Sequence, residues 1–215
     1  MSDLSPEELR RLYRSVLLPR MIEEKMLVLL RQGRLSKWFA GIGQEAIATG
    51  VVTTLAGSGA AGFSNNSTGT SASFNAPEGI AVIGSNLYVA DTGNHAVRKV
   101  VNSLAAAVTT IAGAAPPTAA SGHEDGSGTS TRFTSPRGIA AVGSVLYLAD
   151  TGNHVIRRIT TAATVTTFAG DPLAATTRDG EASQALLNAP AGIAGTSGTI
   201  YFTDVNENVV RKILF

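Results

Sequence analysis

One block of sequence occurs three times between residues 52 and 215, and no other feature constrains the fold as strongly. The segment from Val52 to Gly57 reads Val-Thr-Thr-Leu-Ala-Gly, and residues 108–113 and 165–170 repeat it with one changed residue each. Each copy also carries a Tyr-containing segment that ends on an aspartate: Asp91, Asp150 and Asp204. Order and spacing are kept from copy to copy. Such a repeat predicts stacked β-units, as in a propeller.

Four segments of strand character can be recognised in the repeat. The first begins at a proline and is rich in small residues, and its copies start at Pro77, Pro136 and Pro190. The second alternates apolar and polar residues up to the aspartate, and the third contains an arginine. The Val-Thr-Thr segment is the fourth and outermost. We therefore predict a mainly β fold with three propeller blades per chain over residues 51–215.

The repeated motif resembles that of NHL-repeat β-propellers. In each of the first two copies, an aspartate is followed by Asn-His and then by an arginine: Asp91, Asn94, His95 and Arg98, then Asp150, Asn153, His154 and Arg157. The third copy has Glu207-Asn208 in place of Asn-His. The resemblance covers residues 52–215. It implies a propeller, mostly of six blades, that binds or scaffolds other molecules, with lyases and hydrolases as a minority.

The number of strand segments predicts how the ring closes. Residues 52–57 precede the first blade, whereas the third blade has three strand segments before Phe215. Propellers have four to eight blades, so three cannot close a ring. We expect a homodimer with six blades, in which the segment from Val52 to Gly57 completes the third blade of the other chain. The alternative is an open arc with exposed strand edges.

Residues 1–50 differ sharply in composition from the repeats. They hold 14 of the 33 charged side chains, and their apolar residues recur at helical spacing after a capping box at Ser5 and Glu8. We predict a helical arm that ends at a domain boundary near Gly50. Its exposed apolar stripe has to pack on another surface.

This arm resembles the start of the thiamine-diphosphate-dependent α component of 2-oxo acid dehydrogenases. The resemblance covers about residues 9–50 and is carried mainly by Gly41-Ile42-Gly43-Gln44-Glu45-Ala46. In that family these helices form subunit contacts near the active site. However, the Gly-Asp-Gly signature of the family's cofactor site does not occur in the sequence, and Pro19 interrupts the helical pattern. We expect no cofactor.

The repeated polar residues are interpreted as a structural turn motif between the second and third strands. In this interpretation Asp91, Asp150 and Asp204 accept backbone N–H groups in the turn, next to Asn94, His95, Asn153 and His154. The recurring arginines are expected on the surface or between blades. Two histidines are too few for a metal site, so none is predicted. The Gly-x-Gly-x-x-Gly of residues 57–62 lacks a following helix and predicts no dinucleotide site.

The loops after the outer strands are the least uniform parts of the repeats, so we consider them candidate recognition loops. They contain the charged residues His123, Glu124, Asp125, Arg178, Asp179 and Glu181. A protein or a small molecule could bind there. Turn formation by Asp-Gly is the alternative explanation of the acids.

Composition excludes several functional classes. The formal net charge is +1, which favours neither nucleic acid nor a membrane surface, and there is no cysteine for disulfides or thiolate metal sites. No apolar run is long enough for a membrane span and no secretory signal is recognised, so a cytoplasmic location is the default.

The sequence thus predicts a non-enzymatic binding or scaffold protein. A natural or artificial chimera is consistent with the abrupt change near Gly50. The alternative is an enzyme or its accessory, either a fragment of a 2-oxo acid dehydrogenase or a propeller lyase or hydrolase. Catalysis at the ring centre would need acids or histidines on the first strands, which offer only Glu78 and Arg137.

Overall fold

The computed structural model describes residues 53–215 and shows a mainly β architecture of three antiparallel sheets. The predicted helical arm, its dehydrogenase-like motif and Val52 lie outside the described residues. The domain boundary near Gly50 stays a prediction for the same reason. No helix in the described part is long and apolar enough to cross a membrane.

The strands follow the repeats in chain order. The first sheet consists of β1 (Pro77–Ile83), β2 (Asn86–Asp91), β3 (Ala96–Val101) and β4 (Val108–Ala112). The second consists of β6 (Pro136–Val142), β7 (Val145–Asp150), β8 (Val155–Thr160) and β9 (Thr164–Gly170), with the two-residue β5 (Gly126–Ser127) beyond β9. The third consists of β10 (Pro190–Thr196), β11 (Thr199–Asp204) and β12 (Val209–Leu214). The short β5 was not expected from the sequence.

The core lies between neighbouring sheets, because each strand turns alternate side chains to opposite faces of its sheet. Tyr88 and Val97 of the first sheet pack against Leu146 and Ile159 of the second. Tyr147 and Ile156, on the opposite face of the second sheet, pack against the third sheet. Each sheet is therefore apolar on both faces, as stacking requires.

Residues 53–57 form no strand within the described chain. Ala56 packs against the outer face of the first sheet, beside Phe74 and Val100, and the Gly57 N–H donates to the carbonyl oxygen of Gly69 at 2.9 Å. The predicted pairing of residues 52–57 involves a second chain. It therefore stays a prediction, as does the arrangement of the sheets as blades of a closed ring.

Candidate functional site

The most conspicuous polar feature is an aspartate–arginine pair inside each sheet. Asp91 Oδ2 lies 2.7 Å from Arg98 Nη1, and Asp150 Oδ2 lies 2.9 Å from Arg157 Nη1. All four side chains are fully buried. The aspartate ends the second strand and the arginine lies in the third, so antiparallel pairing across the intervening 3-10 turn brings them together. Burial of such a charge requires a partner.

The third sheet repeats the pair in a more exposed form. Asp204 Oδ2 lies 3.0 Å from Arg211 Nη1, and Arg211 is partly accessible to solvent. The pairing is thus present in all three copies. A recurrence of this kind is typical of a folding constraint rather than of one binding site.

Each aspartate also ties down the loop ahead of its own first strand. Asp91 Oδ1 accepts the Asn75 N–H at 2.7 Å, and Asp150 Oδ1 accepts the Thr134 N–H at 2.8 Å. Asp204 does the same for Asn188 at 2.8 Å. The prediction that these N–H groups lie in the turn after the second strand was wrong. The donors come from the preceding loop instead, because that loop folds back over the carboxylate.

The asparagine of the motif completes the network. Asn94 Nδ2 donates to Asp91 Oδ2 and to the Gly62 carbonyl, both at 2.8 Å. Asn153 likewise donates to Asp150 Oδ2 at 2.8 Å and to the Gly122 carbonyl at 2.7 Å. Each asparagine therefore links the aspartate to a more distant part of the same loop.

The expectation that the recurring arginines lie on the surface or between blades was wrong for Arg98 and Arg157. Arg157 donates to the carbonyl oxygens of Arg132 and Glu124 and stacks over the Phe133 ring, 5.1 Å from its centroid. Arg98 is held in the same way between loop carbonyls and Phe74. The planar guanidinium offers several donors at fixed angles, so one side chain can bind several carbonyl oxygens of a loop.

The buried pairs perturb protonation in the second sheet. Burial raises the pKa of Asp150 to about 6, and the bonds from Asn153 and Arg157 only partly oppose this. The perturbed carboxyl does not face a solvent cavity: its bonds run to Thr134, Asn153 and Arg157. Bonds that all run to groups of the same repeat are typical of a structural contact.

The two histidines of the motif connect neighbouring sheets. His95 Nδ1 accepts the Ser135 N–H at 2.9 Å, and His154 Nδ1 accepts the Ala189 N–H at 3.1 Å. Both residues have left-handed backbone, with φ of 53° and 57°. Asn208 adopts the same conformation in the third copy, at φ 58°. Asparagine tolerates this region well, which explains the exchange.

Acid is expected to weaken the contact made by His95. Burial lowers the pKa of His95 from its ordinary 6.5, so the unfolded chain takes up a proton more readily than the folded one. The stabilisation is therefore complete above about pH 6.5 and is lost as the pH falls through and below that value. Protonated Nδ1 cannot accept from Ser135, and solvent at this half-buried contact reduces the cost of the lost bond.

The variant His95→Asn isolates this effect, since asparagine does not titrate. Chemical denaturation should show the difference in unfolding free energy between wild type and variant shrinking or reversing from about pH 7 to about pH 5. Titration of Asp150 occurs in both proteins and drops out of the difference. A difference independent of pH would contradict the role of His95.

The candidate recognition loops are partly used by the fold. Asp125 Oδ1 accepts from Arg157 Nη2 at 2.6 Å, and its Oδ2 accepts the Thr167 N–H at 3.0 Å. Burial opposes ionisation of Asp125, but the bonds from Thr167 and Arg157 outweigh it and lower its pKa. His123 Nε2 lies 3.0 Å from Thr167 Oγ1, and burial and the Arg157 charge lower the histidine pKa.

The remaining loop residues are more exposed. Asp179 lies beside Arg211, Glu181 lies at the surface, and Glu124 and Arg178 pair with Arg132 and Leu186 through backbone bridges. No group of His, Asp and Glu in residues 53–215 could hold a metal ion. Residues 57–62 are followed by loop and a short 3-10 turn at Gly69–Ser71, not by the helix of a dinucleotide site.

Comparison with known proteins agrees with this geometry. Residues 74–100 match the NHL repeat, and they cover β1, β2, most of β3 and the Asp91–Arg98 pair. The chain is 36% identical to the human NHL repeat-containing protein 2 over 117 residues, which is 53% of this chain and 15% of that protein. The chain therefore contains an NHL-repeat β-propeller segment.

Two further likenesses extend the comparison. The chloroplastic protein SUPPRESSOR OF QUENCHING 1 of Arabidopsis thaliana is 29% identical over 80% of this chain and 17% of its own length. The crystal structure of an auxiliary nutrient binding protein from Bacteroides thetaiotaomicron superposes with a TM-score of 0.55 at 24% identity, covering 62% of this chain and 36% of that one. This chain spans less than a fifth of the two curated relatives' lengths.

Two further hydrogen bonds between the sheets were not predicted from the sequence motif. Thr92 Oγ1 donates to the Pro136 carbonyl at 2.7 Å, and Thr151 Oγ1 donates to the Pro190 carbonyl at 2.6 Å. Both bonds link one sheet to the next. The sequence feature that could have predicted these bonds is the threonine directly after the aspartate. It is present in two copies and replaced by Val205 in the third.

Proposed function

We propose that the repeats of residues 52–215 form a non-enzymatic binding scaffold, which assembles with a second copy of the chain into a six-bladed ring. The observation that supports this proposal is that both outer faces of the three-sheet stack carry the residue types that are buried between its sheets. The recognition loops would then be displayed around a closed and rigid frame.

The first sheet leaves the part of its outer face around Ile80 uncovered. Ile80 is 59% exposed, whereas Ile139, at the same place in the next repeat, is 5% exposed. A groove of about 310 Å³ lies beside Ile80 and is lined by Phe74, Leu87 and Val100. The equivalent positions in the second sheet are buried against the first. An apolar surface of this kind favours a partner.

The third sheet leaves the complementary face uncovered. Tyr201 is 44% exposed, although its equivalents Tyr88 and Tyr147 are nearly fully buried. Val210 is exposed as well, whereas Ile156 of the second sheet is buried. These residues correspond to the side of each sheet that packs on the next repeat.

The two faces therefore fit each other in the way that the first sheet fits the second. Contacts of the third sheet of one chain with the first sheet of its partner, made twice, would give a closed ring with twofold symmetry. The two interfaces would also cover the apolar surfaces that a single chain exposes.

The polar groups support a scaffold better than an enzyme. The repeated aspartates and the arginines of the first two sheets are buried in structural pairs. On the first strands, Glu78 and Arg137 form an exposed ion pair at 3.6 Å. An exposed pair of this kind is typical of a surface contact.

Mass measurement in solution tests the proposed assembly. Light scattering of the full chain should give twice the mass of one chain. The variant Val210→Glu should shift the equilibrium to single chains, because it places a charge in the new interface. Leu104→Glu, a fully exposed apolar position in the turn between β3 and β4, is the matched control. A single-chain mass for well-folded wild-type protein would overturn the assembly.

A further inference from the structure

We propose that the free edge of β12 binds an extended strand in one defined register, and that the strand is residues 52–57 of a second copy. The identity of this occupant rests on the proposed self-assembly. The register and the side chain that sets it come from the contacts inside the first two sheets.

In the second sheet, a loop acid joins the third strand to the fourth. Asp125 Oδ1 accepts from Arg157 Nη2 at 2.6 Å and from Thr167 Oγ1 at 3.2 Å. Its Oδ2 accepts the Thr167 N–H at 3.0 Å. The carboxylate thus fixes the position of β9 against β8.

The first sheet uses an amide for the same purpose. Asn65 Oδ1 accepts from Arg98 Nη2 at 2.9 Å and from Thr110 Oγ1 at 3.1 Å. In both sheets the threonine is the second one of the Val-Thr-Thr segment. Both repeats therefore share one contact, in which a side-chain oxygen of the loop accepts hydrogen bonds from the arginine and from this threonine.

In the third sheet only the arginine half of this contact is present. Asp179 Oδ1 accepts from Arg211 Nη2 at 2.7 Å, yet the Asp179 side chain is 96% exposed. Within residues 53–215, no strand pairs with the outer edge of β12 and no threonine bonds to Asp179. A cavity of about 500 Å³ lies along this edge, lined by Asp179, Leu187, Phe202 and Arg211 among others.

The occupied sheets give the register of the incoming strand. In the second sheet Ile159, Arg158 and Arg157 pair with Val165, Thr166 and Thr167. The first sheet pairs the corresponding residues of β3 and β4 in the same order. By equivalence, Ile213 would pair with Val52, Lys212 with Thr53 and Arg211 with Thr54.

This register suits the chemistry of the edge. The Thr54 hydroxyl and N–H would reach the exposed Asp179 carboxylate, and the Val52 side chain would enter the apolar part of the cavity near Leu187 and Phe202. Backbone hydrogen bonds along β12 would supply affinity, as in other cases of strand addition.

The chain that provides the strand can pair with β12 of its partner and keep the contacts of Ala56 and Gly57 with its own first sheet. In the first sheet, Ala112 packs between sheets while the Gly113 N–H donates at 2.9 Å to Thr131 of the next repeat. Ala56 and Gly57 already make corresponding contacts with their own first sheet, and Thr53 and Thr54 are exposed. Thr53 and Thr54 can therefore pair with a partner while Ala56 and Gly57 stay in place.

Disulfide trapping between two singly substituted chains tests this register, because the natural chain has no cysteine. Full-length Thr54→Cys is mixed with full-length, tagged Asp179→Cys under mild oxidation. The mixed disulfide should form at least about ten times faster than with tagged Thr177→Cys, an exposed position in the same loop, since the strand holds the first pair at high effective concentration. The tag identifies the mixed product by mass.

The outcomes separate this proposal from the self-assembly. A twofold mass with equal trapping rates for positions 179 and 177 would keep the assembly and overturn the strand register. A single-chain mass with selective trapping at position 179 would keep the strand and overturn the stable ring. Failure of both measurements would remove both proposals.

Substitution of Asp179 gives a second, independent measurement. Asp179→Ala should weaken self-association by about tenfold, because bonds to a charged acceptor are lost. Asp179→Asn should retain most of it, since Asn65 fills the same role in the first sheet. Equal weakening by alanine and asparagine, or none by alanine, would contradict the role of Asp179.

Discussion

Replacement of Arg157 with methionine is expected to lower the free energy of unfolding by about 3–5 kcal/mol. Methionine keeps the apolar stem but leaves Asp150 without its cationic partner in a fully buried site. The loop carbonyls of Arg132 and Glu124 also lose their donors. Urea denaturation followed by circular dichroism measures the change through the transition midpoint.

The neighbouring Arg158 provides the matched control. It lies in the same strand but is partly exposed, so Arg158→Met should change stability by less than about 1 kcal/mol. The double variant Asp150→Asn with Arg157→Met should recover part of the loss, since no buried charge remains. A loss at Arg157 no larger than that at Arg158 would show that the buried pair is not the stabilising element described above.

The second large effect is expected for Gly138→Ala, with a loss of about 3 kcal/mol or more. A Cβ at Gly138 would overlap the carbonyl oxygen of Ala191 on the neighbouring first strand, and neither backbone can move without separating the sheets. Gly79 meets the carbonyl of Arg137 in the same way. Thermal and chemical denaturation of the variant both report the loss.

Gly192 is the matched control for this prediction. It occupies the same position in the third sheet, where a Cβ would approach only the Thr203 side chain, at 3.3 Å. In a single chain Gly192→Ala should therefore be much milder than Gly138→Ala. In the proposed ring, a first strand of the partner would face Gly192, so Gly192→Ala should reduce the dimer fraction. Equal destabilisation by both substitutions at low protein concentration would contradict this argument.

The strand pattern could be predicted from the sequence because the repeats align element by element. The boundaries starting at Pro77, Pro136 and Pro190 agree with β1, β6 and β10. The mainly β class and the NHL part of the resemblance are confirmed by the sheets and by the matched repeat. Alternation of apolar residues is a local signal and needs no knowledge of tertiary contacts.

The polar network could not be predicted in the same way. Arginine is rarely buried, so composition alone places Arg98 and Arg157 at the surface. Their burial depends on the loops before β1 and β6, whose carbonyl oxygens converge on the guanidinium only in three dimensions. The donors to Asp91 and Asp150 lie sixteen residues away for the same reason. The motif residues were recognised, but not which groups they bind.

The hydrogen bonds from each arginine to the loop before its sheet determine where the chain can be cut to transfer a repeat. Arg98 binds Ser64 and Ser73, which precede β1, whereas β4 is held at its far end by Thr131 of the following repeat. A transplantable module therefore has to include the loop before its first strand. Grafts that include this loop would keep the arginine on its carbonyl oxygens, whereas grafts cut at the first strand would leave the arginine without them.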